Sequence, residues 1–527
     1  MAEQSTDHEE TSGGRGPGRL LGTVLRGAGL AGGGYVLAQA LNLGMYIVLS
    51  RLLTPGDFGV YAAATVLIAF GLLFTESGMQ AAIIQRQDRL EEAQSTAVVA
   101  TVLGGILLGL VNLGLAPLLG AIFDSSEVTR IAAAASGLIF IHSVSVAPNA
   151  ILQRRFSFVR MVIVGPIEVA VFGGVAIYAA TLDIGPWAML AGQYAGAVVA
   201  TTLAWTFARW RPRMNLVSFA MWKELASYGR HVLISTTIIR LGEQTADSII
   251  VGKSLGTSAL GQYRFAFRIA SLPFYVMLAA AAYVIFPVFS RIQDERGRLQ
   301  AAFLRALRWM ATLGIPAGMV LIPLGPPLAV LVFGDVWLPA GYAAIAMCAY
   351  AGASCITSSV IELLKADGNP SGLTRINSLI TVTTAVAMIA LIPLGLSAIA
   401  AGLSIGAIIG SAYAIHTARR VEEVPLGPMV AEIWPPVVAS VVMAAAILPL
   451  DRLVLHPASH GTVAGLALLA VEALAAAGVY AVAVSALAPG LPREIAGLVR
   501  NRDWRERDGG EADTDIIDDL ESRITDA

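Results

Sequence analysis

From Gly27 to about Pro489 the chain alternates long apolar runs with short polar turns. The runs fall at approximately 27–50, 58–84, 95–123, 131–152, 161–182, 187–208, 231–252, 265–289, 306–325, 341–363, 376–395, 396–418, 430–450 and 462–488. At a rise of 1.5 Å, about 20 apolar residues cross a hydrocarbon core of ~30 Å. Each run therefore predicts a membrane-spanning helix, about fourteen in all. The fold class expected is an all-α polytopic membrane protein.

Basic residues support the count independently, because short cytoplasmic loops collect Lys and Arg. With both termini inside, 26 of the 35 basic residues fall on the cytoplasmic side, and only Arg51, Arg130, Lys253 and Arg452 fall outside. Moving the register by one helix would spoil this alternation, so the location expected is the cytoplasmic membrane with both ends cytoplasmic. Residues 1–26 read as a polar N-terminal segment. Asp7, Glu9 and Glu10 do not resemble the basic start of a secretory signal, so the first helix should stay uncleaved. Residues 489–527 are basic to Arg507 and then acidic, a surface segment followed by a disordered tail. Between the sixth and seventh helices, residues 209–230 form a linker. There Leu216, Phe219, Trp222 and Leu225 recur at helical spacing, predicting a helix lying in the cytoplasmic interface.

Composition agrees: 56% of residues are hydrophobic and 14% charged, against roughly 25% charged in a soluble domain. A net charge of −2 gives no basic field for nucleic acid. Cys348 and Cys355, seven apart on one predicted helix, stand about 10 Å apart, too far for a disulfide. No cofactor or metal is indicated. Gly27, Gly29 and Gly32 spell a dinucleotide fingerprint, but no strand precedes them. Gly252, Lys253 and Ser254 imitate the end of a phosphate loop, but Asp247 stands where its first Gly belongs. Gly402, Gly406 and Gly410 at four-residue spacing predict close helix packing in the twelfth span.

Shifting the chain by 202 residues superposes RLLTPGDFGVYAAA (51–64) on KSLGTSALGQYRFA (253–266), matching Leu53 with Leu255, Gly59 with Gly261 and Tyr61 with Tyr263. The offset spans six helices, so the two copies have one orientation, a parallel repeat. The expected organisation is an N-lobe at 27–208, a C-lobe at 231–418 and an additional helix pair at 430–488. The stretch LSRLLTPGDFGVYAAATVLIAF, followed by ESGMQAAIIQR, resembles the Wzx-type polysaccharide flippases of the multidrug/oligosaccharidyl-lipid/polysaccharide exporter superfamily. So do LGQYRFAFRIASLP (260–273), FPVFSRIQDERGRL (286–299), FGDVWLPAG (333–341) and ADGNP (366–370). The resemblance covers roughly residues 30–420 and is weaker over the last two helices. It implies a V-shaped pair of lobes that alternates access and moves a polyprenyl-diphosphate-linked oligosaccharide from the inner to the outer leaflet; a polysaccharide polymerase complex is a candidate partner.

Charges at helix-centre depth cost roughly 2.5 to 3.5 kcal/mol, so they normally face protein or water. Arg240, Glu243 and Asp247 form one stripe on the seventh helix, and Arg264 and Arg268 stack on one face of the eighth. Guanidinium groups grip phosphate oxygens in bidentate fashion, which makes Arg240, Arg264 and Arg268 the candidates for binding the diphosphate. The alternative is that Arg240 only neutralises Glu243 while Arg264 and Arg268 snorkel to headgroups. Glu76, Glu243 and Asp247 are candidates for coupling to a proton or sodium ion. Glu168, Glu362 and Glu472 are further acids within spans. Gln39, Asn42 and Asn149 are candidate sugar contacts, with His142 as a further polar position. The short loops could not fold a catalytic domain, so no enzyme is expected, and a membrane glycosyltransferase or ligase is disfavoured. The stronger rival is a drug/cation antiporter, whose cavity would carry acids without an arginine set.

Overall fold

A computed structural model describes residue 34 and residues 37–491, except 69, 70, 72–78, 81, 85, 87, 156, 157, 228–244, 293, 294, 368, 369, 422, 456 and 458–460. Every regular element among the described residues is helical. The order is α1 (Leu37–Leu52), α2 (Pro55–Ala64), α3 (Leu90–Ile122), α4 (Ser126–Arg154), α5 (Phe158–Ala180) and α6 (Trp187–Ala208). There follow α7 (Ala246–Arg291), α8 (Arg296–Met319), α9 (Leu321–Leu328), α10 (Leu338–Ala346) and α11 (Cys348–Ala366). The last described helices are α12 (Pro370–Ala390), α13 (Leu396–Val421), α14 (Leu426–Leu450) and α15 (Thr462–Leu487). Among the described residues seven helices are long and apolar enough to cross a membrane, or nine if each bent pair is one span.

Two of the spans are bent pairs of helices, and the first bend has a covalent cause. The segment Leu321–Phe333 leaves the axis of α8 by 47°, and Cys348–Ala366 leaves that of Asp335–Ala346 by 44°. Pro316, Pro323, Pro326 and Pro327 crowd the first of these bends, and proline removes an N–H while pressing on the preceding turn. Pro316 cannot donate to the carbonyl of Thr312, and the hydroxyl of Tyr480 on α15 donates to it instead at 2.7 Å. The bidentate pair Arg308–Glu432 ties α8 to α14. The last helix pair is thus fastened to α8.

The predicted eighth helix begins at Thr257 rather than at 265. Gly256, at φ 86°, breaks α7 into two helices with no loop between them. The second half starts 202 residues after Pro55, the first residue of α2, as the repeat requires. The copies touch reciprocally. A Cβ on Gly59 would lie 1.7 Å from the carbonyl oxygen of Thr257, and one on Gly261 would lie 1.9 Å from that of Pro55. Only glycine lets these two helices approach so closely. On α13, Cβ atoms at Gly402, Gly406 and Gly410 would run into Met388, Thr384 and Ile380 of α12, the close packing their spacing predicts.

The linker differs from its prediction. It runs from Arg209, at φ 45°, through a short 3-10 turn at Met214–Leu216 to a helix at 219–227. The expected single apolar stripe splits. Leu225, with Met221, is buried against Ala97 and Ala147, whereas Phe219 and Trp222 are 77% and 39% exposed. The extended backbone at Val217 cuts off Leu216, and within the helix at 219–227 Met221 and Leu225, at i and i+4, share a face turned away from Phe219 and Trp222.

Candidate functional site

The glycine contact brings α1, α2 and α7 together at the end where α1 turns into α2, and aromatic rings fill the junction. Phe265 of α7 lies edge-on to Phe58 at 4.9 Å and to Phe333 at 5.0 Å, and close over Trp337 at 3.8 Å. Trp337 is fully buried and its indole N–H donates to the carbonyl of Ser50 at 3.0 Å. Gln262 holds the backbone on either side of this residue: its amide donates to the carbonyl of Val336 at 2.6 Å and accepts from the N–H of Ala340 at 3.0 Å. Arg51 donates to the carbonyls of Leu331 and Val332 at 2.6 and 3.3 Å, carbonyls that a bent, proline-rich span leaves available. The segments LGQYRFAF and FGDVWLPAG are thereby parts of one seal.

Beneath the seal lies a cavity of about 640 Å³ between α1, α7 and the segment Leu321–Phe333. Gln39 and Asn42 enter it from α1, Arg264 and Arg268 from α7. Its described lining holds two guanidinium groups and no carboxylate. Arg268 donates to Oδ1 of Asn42 at 2.6 Å and lies flat over the Tyr46 ring, 3.3 Å from its centroid. A guanidinium has five N–H donors, so these contacts fix its plane while leaving donors for a ligand. Arg264 donates to the Ser248 hydroxyl and stands 3.8 Å from Asp247. Summing formal charges, two arginines and one aspartate leave the site net positive.

Asp247 sits behind this cavity. Its Oδ1 accepts from the backbone N–H of Ser248 at 2.7 Å, while Oδ2 is buried with no hydrogen-bond partner. It borders a second cavity, about 350 Å³, between α7, α11, α12 and α13, together with Glu362 and Lys365, which pair at 2.7 Å. Asn149 is elsewhere, in α4, bonded to Ser145 at 3.5 Å, and does not line either cavity. His142 and Glu168 also lie apart from both, and Glu472 is fully buried in α15. Arg240, Glu243 and Glu76 fall outside the described residues. Tyr46 and Trp337 were not among the sequence candidates. Tyr46 had a signal, since Gln39, Asn42 and Tyr46 recur at i, i+3 and i+7 on α1.

Residues 48–341, more than half of the chain, match the family described as polysaccharide biosynthesis protein. The chain belongs to this family. It is 25% identical over 323 residues to the succinoglycan biosynthesis transport protein ExoT of Rhizobium meliloti, covering 60% of this chain and 63% of that protein. It is 25% identical over 342 residues to the lipopolysaccharide biosynthesis protein WzxC of Escherichia coli, covering 64% and 66%. Against the teichuronic acid biosynthesis protein TuaB of Bacillus subtilis it is 24% identical over 309 residues, covering 57% and 62%. The matches thus span less than two thirds of these relatives' length. Among solved structures, the lipid II flippase MurJ in an inward closed conformation superposes with a TM-score of 0.72 at 15% identity, covering 88% of this chain and 99% of that one. An inward-facing MATE family multidrug transporter gives 0.61 at 16%, covering 73% and 94%. The chain therefore has the fold of these transporters and is a multi-pass membrane protein.

Proposed function

We propose that this protein is a flippase that moves polyprenyl-diphosphate-linked oligosaccharide from the inner to the outer leaflet of the bacterial cytoplasmic membrane by alternating access, for assembly of surface polysaccharide. Both termini are cytoplasmic in this reading, so the aromatic seal closes the outer side and the cavity admits cargo from within. The observation that carries it is the net-positive cavity beneath that seal, with Arg264 and Arg268 as the diphosphate grip. About 640 Å³ is within the usual range of small-ligand sites and suits a diphosphate with its first sugar. Gln39 and Asn42 then face the sugar, and Arg240 is the third candidate for the grip. The bodies that exchange are residues 27–208 and 231–418, with 430–488 travelling with the latter.

Two negative charges moving outward across the full field gain about 2 × 2.3 kcal/mol per 100 mV, which drives transport without chemistry. Asp247, with Glu76 and Glu243, supplies the coupling when a proton or sodium ion contributes. Antiport of cationic drugs is the rival, and a cavity lined by two guanidinium groups opposes it by charge. Deleting the gene and extracting lipids tests the reading: diphosphate-linked oligosaccharide should accumulate on the inner face. Drug sensitivity with no accumulated lipid would support the antiporter.

A further inference from the structure

The linker that follows α6 holds a second concentration of arginine and aromatic side chains, far in sequence from the cavity residues. The position of this segment in the bilayer can be fixed. Helix α3 has 33 residues, about 50 Å, longer than a ~30 Å hydrocarbon core, and its polar start, LEEAQST, precedes the apolar run, so the excess projects at this end. The backbone N–H groups of Arg213 and Ser218 donate to Ser95 and Thr96, at 3.1 and 3.2 Å. Those hydroxyls sit five and six residues into α3, about 8 Å from its start. The linker is pinned at headgroup depth.

An open groove of about 720 Å³ lies there, between the end of α6 and the first linker residues. Its wall is the stacked pair Trp205 and Trp210, 6.1 Å apart, with Trp205 held by a hydrogen bond to the carbonyl of Val144 at 3.1 Å. Arg209 and Arg211 border it and are both exposed. Neighbouring basic residues are already engaged: Arg213 with Glu91 at 2.7 Å, and Arg86 and Arg89 with Glu224 at 2.7 and 3.2 Å. No described carboxylate pairs with Arg209 or Arg211. On α6, Val198, Thr202 and Thr206 recur at i, i+4 and i+8, all exposed, so one outward stripe runs along the helix and ends at the groove, where the exposed Arg209 caps the helix. That stripe is turned away from the protein, and the residue that follows it is cationic.

We propose that this groove is a binding site for an anionic phospholipid, with Arg209 and Arg211 on the headgroup phosphate, the tryptophan pair beside the glycerol region and the chains along the α6 stripe. The occupant is a lipid rather than a soluble anion because the groove continues into a lipid-facing surface. Tryptophan at the membrane boundary and arginine on phosphate are each the side chain such a position favours. The exposed Phe219 and Trp222, in ring contact at 5.1 Å, extend the same interfacial surface. The linker leads into the segment before α7, so a bound lipid fixes the connection between the two halves of the chain.

The test uses the full-length protein in detergent, exposed to phosphatidylglycerol or phosphatidylcholine, with retained lipid counted by native mass spectrometry. The wild type should retain phosphatidylglycerol roughly tenfold better than phosphatidylcholine. Arg209→Gln with Arg211→Gln should bring the two lipids level, Arg209→Lys with Arg211→Lys should keep much of the preference, and Arg130→Gln at the other membrane face should leave it intact. Millimolar inorganic phosphate should not displace the lipid. Equal retention of both lipids by the wild type, an unchanged preference in the double Gln variant, or displacement by inorganic phosphate would overturn the site. The wild-type comparison stands even where a variant fails to fold.

Discussion

Replacing Gly59 by alanine should open the seal. The new Cβ would lie 1.7 Å from the carbonyl oxygen of Thr257. Carbon and oxygen settle at about 3.3 Å or more, so α2 and the second half of α7 must part by roughly 1.6 Å. The obstacle is backbone, which cannot swing aside as a side chain could. Forcing extra volume into a packed contact costs about 1 to 3 kcal/mol. At about 1.4 kcal/mol per tenfold, the closed arrangement loses roughly five- to hundredfold in population against one with the helices apart. Ser50, 2% exposed beneath Trp337, reports the change. In a chain carrying Cys348→Ser, Cys355→Ala and Ser50→Cys, labelling by a membrane-impermeant maleimide in intact cells should accelerate by that factor when Gly59→Ala is added, while export falls. Gly56→Ala is the control, because its Cβ would meet only the Thr54 hydroxyl, at 3.6 Å. Unchanged labelling and full export in Gly59→Ala would refute the assignment of this contact as the seal.

Asn42→Ala removes the partner that fixes the Arg268 plane, and export should fall roughly tenfold with protein level unchanged, as expected for one charge-assisted hydrogen bond. Trp337→Phe keeps a ring against Phe265 but deletes the hydrogen bond to Ser50; a loss of about 1 kcal/mol should appear as a lower melting temperature in detergent. At the linker, the hydrogen bond from Arg86 holds the Glu224 carboxyl below its usual value, aided by Arg89. A depressed pKa gives stability that is present above the ordinary carboxylate range and lost as pH falls through the folded value. Proteolysis of the linker should therefore quicken on acidification below the carboxylate range, and Glu224→Gln should be cut readily at neutral pH as well.

What the sequence disclosed was what local spacing controls. Twenty-residue apolar runs mark spans because bilayer thickness sets helix length, and Gly402, Gly406 and Gly410 announce a tight face by their four-residue interval. Arg264 and Arg268 share a face at i, i+4 and do line one cavity. The 202-residue repeat was legible as a repeat, yet nothing along the chain says that Gly59 and Gly261 meet each other; that is a property of the pseudo-twofold axis. The bends near Met319 and Met347 were missed because an apolar run scores the same whether straight or broken. The linker stripe differs for two reasons: Leu216 lies before the extended break at Val217, and Leu225 turns with Met221 onto a buried face while Phe219 and Trp222 face outward. Trp337 gained its role from Ser50, 287 positions away, a distance no pattern reading spans.

The central claim is that the two cavity arginines grip an anionic lipid headgroup during its passage between leaflets. Reconstituting the purified protein in vesicles, with a fluorescent polyprenyl-diphosphate oligosaccharide and an external quencher, measures this directly. The wild type should translocate the lipid faster under an outward-directed potential for negative charge, and Arg264→Gln with Arg268→Gln should reduce the rate at least roughly tenfold in equally folded protein. Equal rates for wild type and double variant, or no translocation above protein-free vesicles, would contradict it.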